Sequence, residues 1–364
     1  YAGAKAFVKA NKGRYKCGGY IYTGEGQDIG QFWAELNVGN AKVKKTTANE
    51  IVTNGNAMYS IAGATFGIFS DQNCSSQIGT LTTNENGDTN EVEVTAGTVY
   101  IKELSAPKGY KLDTTVRSLK VEAVLNVSDV PKVTETLVDL FKIDMETGKA
   151  TARGDAALAG AEFTWHYYDG LYTKDNLPEK ATRTWVTKTV AEKDSNGTVH
   201  YVTKLADAYK VSGDVFYTQN EKNVLPLGTL TVEETKAPDG YLLDGAYMQA
   251  GDSTEQIKGM YLTQITEDGE LAVLSGSNQY SVSDQVIRGG VKIQKRDLET
   301  KDTKAQGSAT LQYTEFNIIS LNDSPVLVVG KLYNKNETVK KIQTGIDGIA
   351  STSADLLPYG NYRL

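Results

Sequence analysis

Three stretches of this chain follow one plan, and that repetition constrains the fold more than any single residue does. The stretches are "AKVKKTTANEIVTNGNAMYSIAGATFGIFSD" (41–71), "VDLFKIDMETGKATARGDAALAGAEFTWHYYDG" (138–170) and "VKIQKRDLETKDTKAQGSATLQYTEFNIIS" (291–320). Each opens with an alternating apolar run that ends in a lysine: Lys45, Lys142 and Lys295. A polar, turn-rich segment follows, and then a second run, "GATFGIF", "GAEFTWHY" or "TEFNIIS". Alternation with period two predicts strands, and Gly, Asn and Asp clusters between them predict turns. Short strands at such spacing predict an all-β chain of tandem β-sandwiches.

The first two copies share a longer phrase. "IKELSAPKGYKLD" (101–113) and "VEETKAPDGYLLD" (232–244) each place a glutamate, Glu103 or Glu234, shortly before Ala-Pro-x-Gly-Tyr. Both copies close with a similar strand, "NVSDVPK" (126–132) or "SVSDQVI" (281–287), carrying Asp129 or Asp284. The order lysine, glutamate, aspartate therefore occurs twice. The third copy has its lysine only, and matching "VYIKE" to "NYRL" puts its glutamate one position past Leu364. The second copy is longer, through a Tyr- and Thr-rich insertion around 164–226. "TNENGDTNE" (83–91) and "NEKNVLPLG" (220–228) read as loops, and "GDAALAGAEF" (154–163) offers at most one helical turn.

Composition supports strands and excludes several functions. Twenty-one tyrosines stand against 8 phenylalanines, a bias that suits a pleated, half-buried surface. The net charge is −7 and the isoelectric point near 5.2, which argues against a nucleic-acid partner. No apolar run of about 18 residues suggests membrane insertion. The chain reads as a fragment of something longer. Residues 1–40 are expected to be the tail of an upstream β domain, followed by sandwiches at 41–133, 134–288 (with the insertion) and 289–364, the last incomplete.

The motifs resemble the CnaB-like domains (SpaA-type, prealbumin-like or Ig-like) of Gram-positive cell-wall-anchored adhesins and pilins. The two glutamate phrases look like that family's E-box, and the lysine strands and "GA-x-F" strands match as well. The resemblance covers about 41–364. It implies an intramolecular isopeptide bond in each complete domain, Lys45–Asp129 and Lys142–Asp284, with Glu103 and Glu234 as proton shuttles. The family's usual acceptor is asparagine, with aspartate as a variant. Asn126 competes in the first domain, but three residues from Asp129 it falls on the opposite strand face. Its counterpart Ser281 cannot react. Glu103-Leu104 stands where the family has Glu-Thr. Lys295 is expected to stay unreacted.

The implied chemistry is reasonable. Burial lowers a lysine pKa and raises a carboxylic acid pKa, so a neutral amine can face a neutral acid. A neighbouring protonated glutamate can move the proton, and fixed proximity supplies effective molarity. The plain alternative is a buried ion pair. The resemblance further implies an extracellular, cell-wall-anchored location, the anchor lying in regions outside these residues. Its partners would be other fibre subunits or a host surface protein such as collagen or an immunoglobulin, or a glycan. A sortase-assembled pilus subunit is an alternative role.

Other sites are weaker. Trp165, Tyr167 and Tyr168 in "FTWHYYDGLYT" could form an aromatic ligand platform, or pack as core. His166 and His200 are too scattered for a triad or a histidine metal site, and "TNENGD" (83–88) lacks an EF-hand pattern. No cofactor, metal or turnover enzyme is expected. Cys17 and Cys74 are read as unpaired thiols rather than a disulfide. A thioester from Cys17 to Gln27 or Gln31 is a remote alternative.

Overall fold

The structure is a computed structural model and describes residues 13–22, 28–95, 97–135, 139–249, 256–266 and 280–364. The described chain is almost all β, as the alternation predicts. It divides into two compact units. Unit 1 contains Tyr1–Thr134 and Tyr217–Gly228. Unit 2 contains Glu135–Phe216, Thr229–Ile265 and Glu270–Leu364.

In unit 1, the strand Asp28–Thr47 is the spine. It pairs antiparallel with Gly13–Tyr22, antiparallel with Val92–Val94 over residues 39–41, and parallel with Val124–Asp129 over residues 42–47. A second sheet runs in the order Gln77–Thr82, Thr65–Phe69, Thr98–Ser105, Arg117–Lys120. Ala41, Val43, Ala64, Phe66, Ile68, Leu81, Val99, Ile101 and Val127 form the core. Alternation along the spine buries Ala41, Val43 and Lys45 in turn, so the lysine takes the next inward position after two apolar residues.

Unit 2 has a six-stranded sheet in the order Val190–Lys193, Val199–Thr203, Leu140–Asp144, Tyr280–Val286, Tyr241–Gln249, Gln256–Lys258. A five-stranded sheet runs Lys210–Gly213, Arg183–Lys188, Glu162–Tyr168, Gly228–Lys236, Tyr261–Ile265. The insertion thus adds edge strands to both sheets. Smaller sheets built from residues 288–363 enclose a separate core around Ile318, Val326, Val328 and Val339.

Some local readings are corrected. Residues 220–228 are not a loop: Tyr217–Gln219 and Lys222–Pro226 pair as a hairpin in unit 1. Asn220 and Glu221 turn it with φ of 51° and 64°, the left-handed pair that a two-residue hairpin needs. Residues 154–161 form turns and no helix, whereas one helical turn occurs at Glu50–Thr53. No helix among the described residues is long and apolar enough to cross a membrane.

Candidate functional site: two buried lysine–glutamate–aspartate clusters

The parallel pairing of the lysine strand with the closing strand sets both clusters. Lys45 stands in register with Val127, and Lys142 with Val282. In each case the aspartate lies two residues further along, on the same face. Across the sandwich, each glutamate sits opposite the phenylalanine of the "GA-x-F" strand: Phe66 pairs with Glu103, and Phe163 with Glu234. One register, used twice, brings the three functional side chains to one point inside each unit.

In unit 1, Lys45 Nζ lies 2.5 Å from Asp129 Oδ2 and donates to Glu103 Oε1. Lys45 is fully buried, and Asp129 and Glu103 are nearly so. The Phe66 ring lies beneath the ammonium, 4.9 Å from Nζ to the centroid, which adds a cation–π contact. In unit 2, Lys142 Nζ lies 2.6 Å from Asp284 Oδ1 and 2.6 Å from Glu234 Oε2. The three side chains are again withdrawn from water.

Two carboxyls around one cation cannot all stay ionised cheaply in such surroundings. Burial raises the carboxyl pKa of Asp129 and of Glu103, more than the Lys45 charge lowers either. Burial likewise raises Asp284, and it pushes Glu234 up to about 8 against the pull of Lys142. Among the described residues no backbone or hydroxyl donor reaches the Asp129 carboxyl, so Lys45, with a smaller contribution from the Glu103 carboxyl, is what favours its charged form.

Asn126 is exposed on the opposite face of the closing strand, while Val127 and Asp129 are buried. Lys295 is half-buried just past the strand Lys292–Gln294, its amide donating to the Gly348 carbonyl. Trp165 and Tyr167 are fully enclosed and Tyr168 is only 7% exposed. They are core, and the aromatic-platform reading is corrected: the inward face of Glu162–Tyr168 packs between sheets. His166 faces outward and shares a 2.9 Å hydrogen bond with Thr184. Cys74 is a free thiol. The side chains of Cys17 and Gln31, and residue 27 altogether, lie outside the described residues, and with them the thioester reading. Among the described residues no cluster of three His, Cys, Asp or Glu side chains could hold a metal.

Three features of the site were missed from sequence. Gly87 packs its backbone on Lys45: the Lys45 amide donates to the Gly87 carbonyl at 2.7 Å. A Cβ on Gly87 would lie 2.1 Å from the Lys45 carbonyl oxygen. Tyr241, from the second Gly-Tyr phrase, donates to buried Asp144, which also binds Arg153. Asp113 supplies a backbone hydrogen bond to Glu103. The signal for the last was available, since both phrases end in aspartate, at 113 and 244.

A buried lysine on the first strand, an aspartate on a parallel closing strand and a glutamate facing both define the module over the stretch that begins with the lysine strand. Residues 39–132 match the SpaA prealbumin-like fold domain. The SpaA match spans the first cluster whole, Lys45, Glu103 and Asp129 included. No curated protein matches the chain. Among solved structures, the Bacillus anthracis TIE protein is similar at 22% identity and a TM-score of 0.48, over 96% of this chain and 52% of that one. The chain thus spans about half of that protein's length. A C-terminal fragment of the pilus adhesin SpaC from Lactobacillus rhamnosus GG is 18% identical, with a TM-score of 0.34, over 68% of this chain and 98% of the fragment. BcpA, the major pilin subunit of Bacillus cereus, is 16% identical, with a TM-score of 0.27, over 90% and 87%.

Proposed function

We propose that this chain is a load-bearing segment of a Gram-positive surface adhesin or pilus-like fibre, built of SpaA-type sandwiches in tandem. In this reading, the modules at 41–133 and 134–288 each close one amide between lysine and aspartate, Lys45–Asp129 and Lys142–Asp284. The observation that carries it is the recurrence of one buried lysine–glutamate–aspartate cluster in one strand register. A single ion pair buried by chance would not repeat with the same offset between lysine and aspartate.

Each reaction is a condensation. A proton passes from the ammonium to the aspartate carboxylate, which leaves a neutral amine against a neutral acid, a state favoured by burial. Nζ attacks Cγ, and the C–N bond forms. The protonated glutamate gives its proton to the departing hydroxyl and takes one amine proton in its place, so water leaves and the glutamate ends as it began. The strands supply the effective molarity. Each cluster reacts once and is not a turnover site.

The amide would tie the first strand of a module to its last. Tension entering and leaving through those strands would then run through covalent bonds rather than through sheet hydrogen bonds. Single-molecule stretching tests this. The residues between lysine and aspartate in the modules at 41–133 and 134–288 should add no contour length. Full extension of both modules would refute a load-bearing cross-link.

A further inference from the structure

The two glutamates are held differently. Glu103 Oε1 faces Lys45, and Glu103 Oε2 accepts a hydrogen bond from the backbone N–H of Asp113 at 2.8 Å. That N–H is aimed by a local clamp. Asp113 Oδ1 accepts from the Thr115 amide at 2.9 Å, and Asp113 Oδ2 accepts from Arg117 Nη2 at 2.6 Å. The first contact is an Asx turn, which fixes the backbone around the aspartate. Partial burial works to raise the Asp113 carboxyl, but the bonds from Thr115 and Arg117 outweigh it and hold it at about 2. The clamp therefore stays ionised across the neutral range.

Among the described residues nothing comparable reaches Glu234. Its Oε2 faces Lys142, and among the described residues its buried Oε1 has no hydrogen-bond partner. The backbone differs as well. After Gly109-Tyr110 the chain leaves regular structure until Arg117–Lys120, whereas after Gly240 it runs directly into the strand Tyr241–Gln249.

We propose that Asp113 is the positioning residue of the first cluster: clamped by Thr115 and Arg117, it presents its N–H to Glu103 Oε2 and so reserves Oε1 for the proton passing between Lys45 and Asp129. The assignment rests on the isopeptide reading above and divides labour between the two oxygens of one carboxyl. One oxygen is anchored and the other transfers. The Asp113 charge acts in the same direction, adding to the burial that raises the Asp129 carboxyl pKa.

The test uses the full chain in a Lys142→Met background, where only the first cluster can lose water. The chain is made by cell-free translation, and its intact mass is followed with time. Asp113→Ala should slow the loss of one water by roughly 10- to 100-fold, the usual cost of a misplaced catalytic group. Asp113→Asn keeps an oxygen for the Thr115 turn but loses the Arg117 contact, and should react at a rate between the parent and Asp113→Ala. A parental rate in Asp113→Ala overturns the assignment alone, as does equal slowing in Asp113→Asn. A parent that never loses water overturns the bond reading and the assignment together. If Asp113→Ala unfolds unit 1, Arg117→Gln removes only the outer half of the clamp. Slowing there supports the assignment, and a parental rate overturns it.

Discussion

Lys142 and Asp284 meet at 2.6 Å although their Cα atoms are not register partners; Lys142 pairs with Val282. The long lysine side chain leans along its strand and reaches the next inward position of its neighbour. Lys45 and Asp129 repeat the relationship with Val127 between them. A covalent bond there would link parallel strands from opposite ends of the module's sequence, and several expectations follow from that geometry.

Removing the lysine should cost the cross-link. By the chain-entropy relation developed for disulfides, closing a loop of about 100 residues contributes about 4–5 kcal/mol. Lys142→Met should destabilise unit 2 by an amount of that order, read as a lower thermal midpoint of its transition by calorimetry. An unchanged midpoint would mean that no covalent loop is closed there.

The acceptor can be identified by isotopically clean chemistry. Asp129→Asn should still close, losing ammonia rather than water, and the bonded variant should have the same mass as the bonded parent because the product amide is identical. Asn126→Ala should change nothing, since Asn126 is exposed on the far face. Loss of the first bond in Asn126→Ala would move the acceptor.

The second cluster should be sensitive to alkali while it is still unbonded. Burial raises Glu234 from its ordinary 4.5 to about 8. Between those values the folded chain holds a proton that the unfolded chain has released, so this contribution is fully present below about 4.5 and lost as pH rises through about 8. Loss of the second water from freshly translated chain should slow above pH about 8 for the same reason. A rate that keeps rising with pH would show that lysine deprotonation alone is limiting. Glu234→Gln should abolish the second bond at every pH.

Phe66 serves both packing and chemistry. Phe66→Ala removes a ring that is 1% exposed and lies beneath Lys45. It should destabilise unit 1 by about 3–5 kcal/mol, measured by denaturant titration in a Lys45→Met background. By admitting water to the cluster it should also slow the first bond in the chain that keeps Lys45. A loss below about 1 kcal/mol would contradict the tight packing described.

Much of this was legible in the letters, for a physical reason. Period-two alternation in "AKVKK" and "NVSD" puts Lys45 and Asp129 inward whatever the partner strands are, and the repeat at 138–142 and 281–284 supplies a second instance. What alternation cannot tell is what covers a face. "FTWHYY" alternates equally well as an exposed aromatic stripe or as core, and only the folded structure shows Trp165 and Tyr167 fully buried. The hairpin at 217–226 hid behind Asn and Glu, since their left-handed backbone depends on the strands they join. Asp113 escaped notice because it acts on Glu103 through its backbone N–H: the aspartate that ends both phrases marked the position but not that role.

The most direct test is the intact mass of the purified chain under denaturing, reducing conditions. A deficit of two waters is expected, falling to one in Lys45→Met, Glu103→Gln, Lys142→Met or Glu234→Gln. A mass equal to that of the uncross-linked linear chain would contradict the covalent cross-links and leave two buried ion pairs in their place.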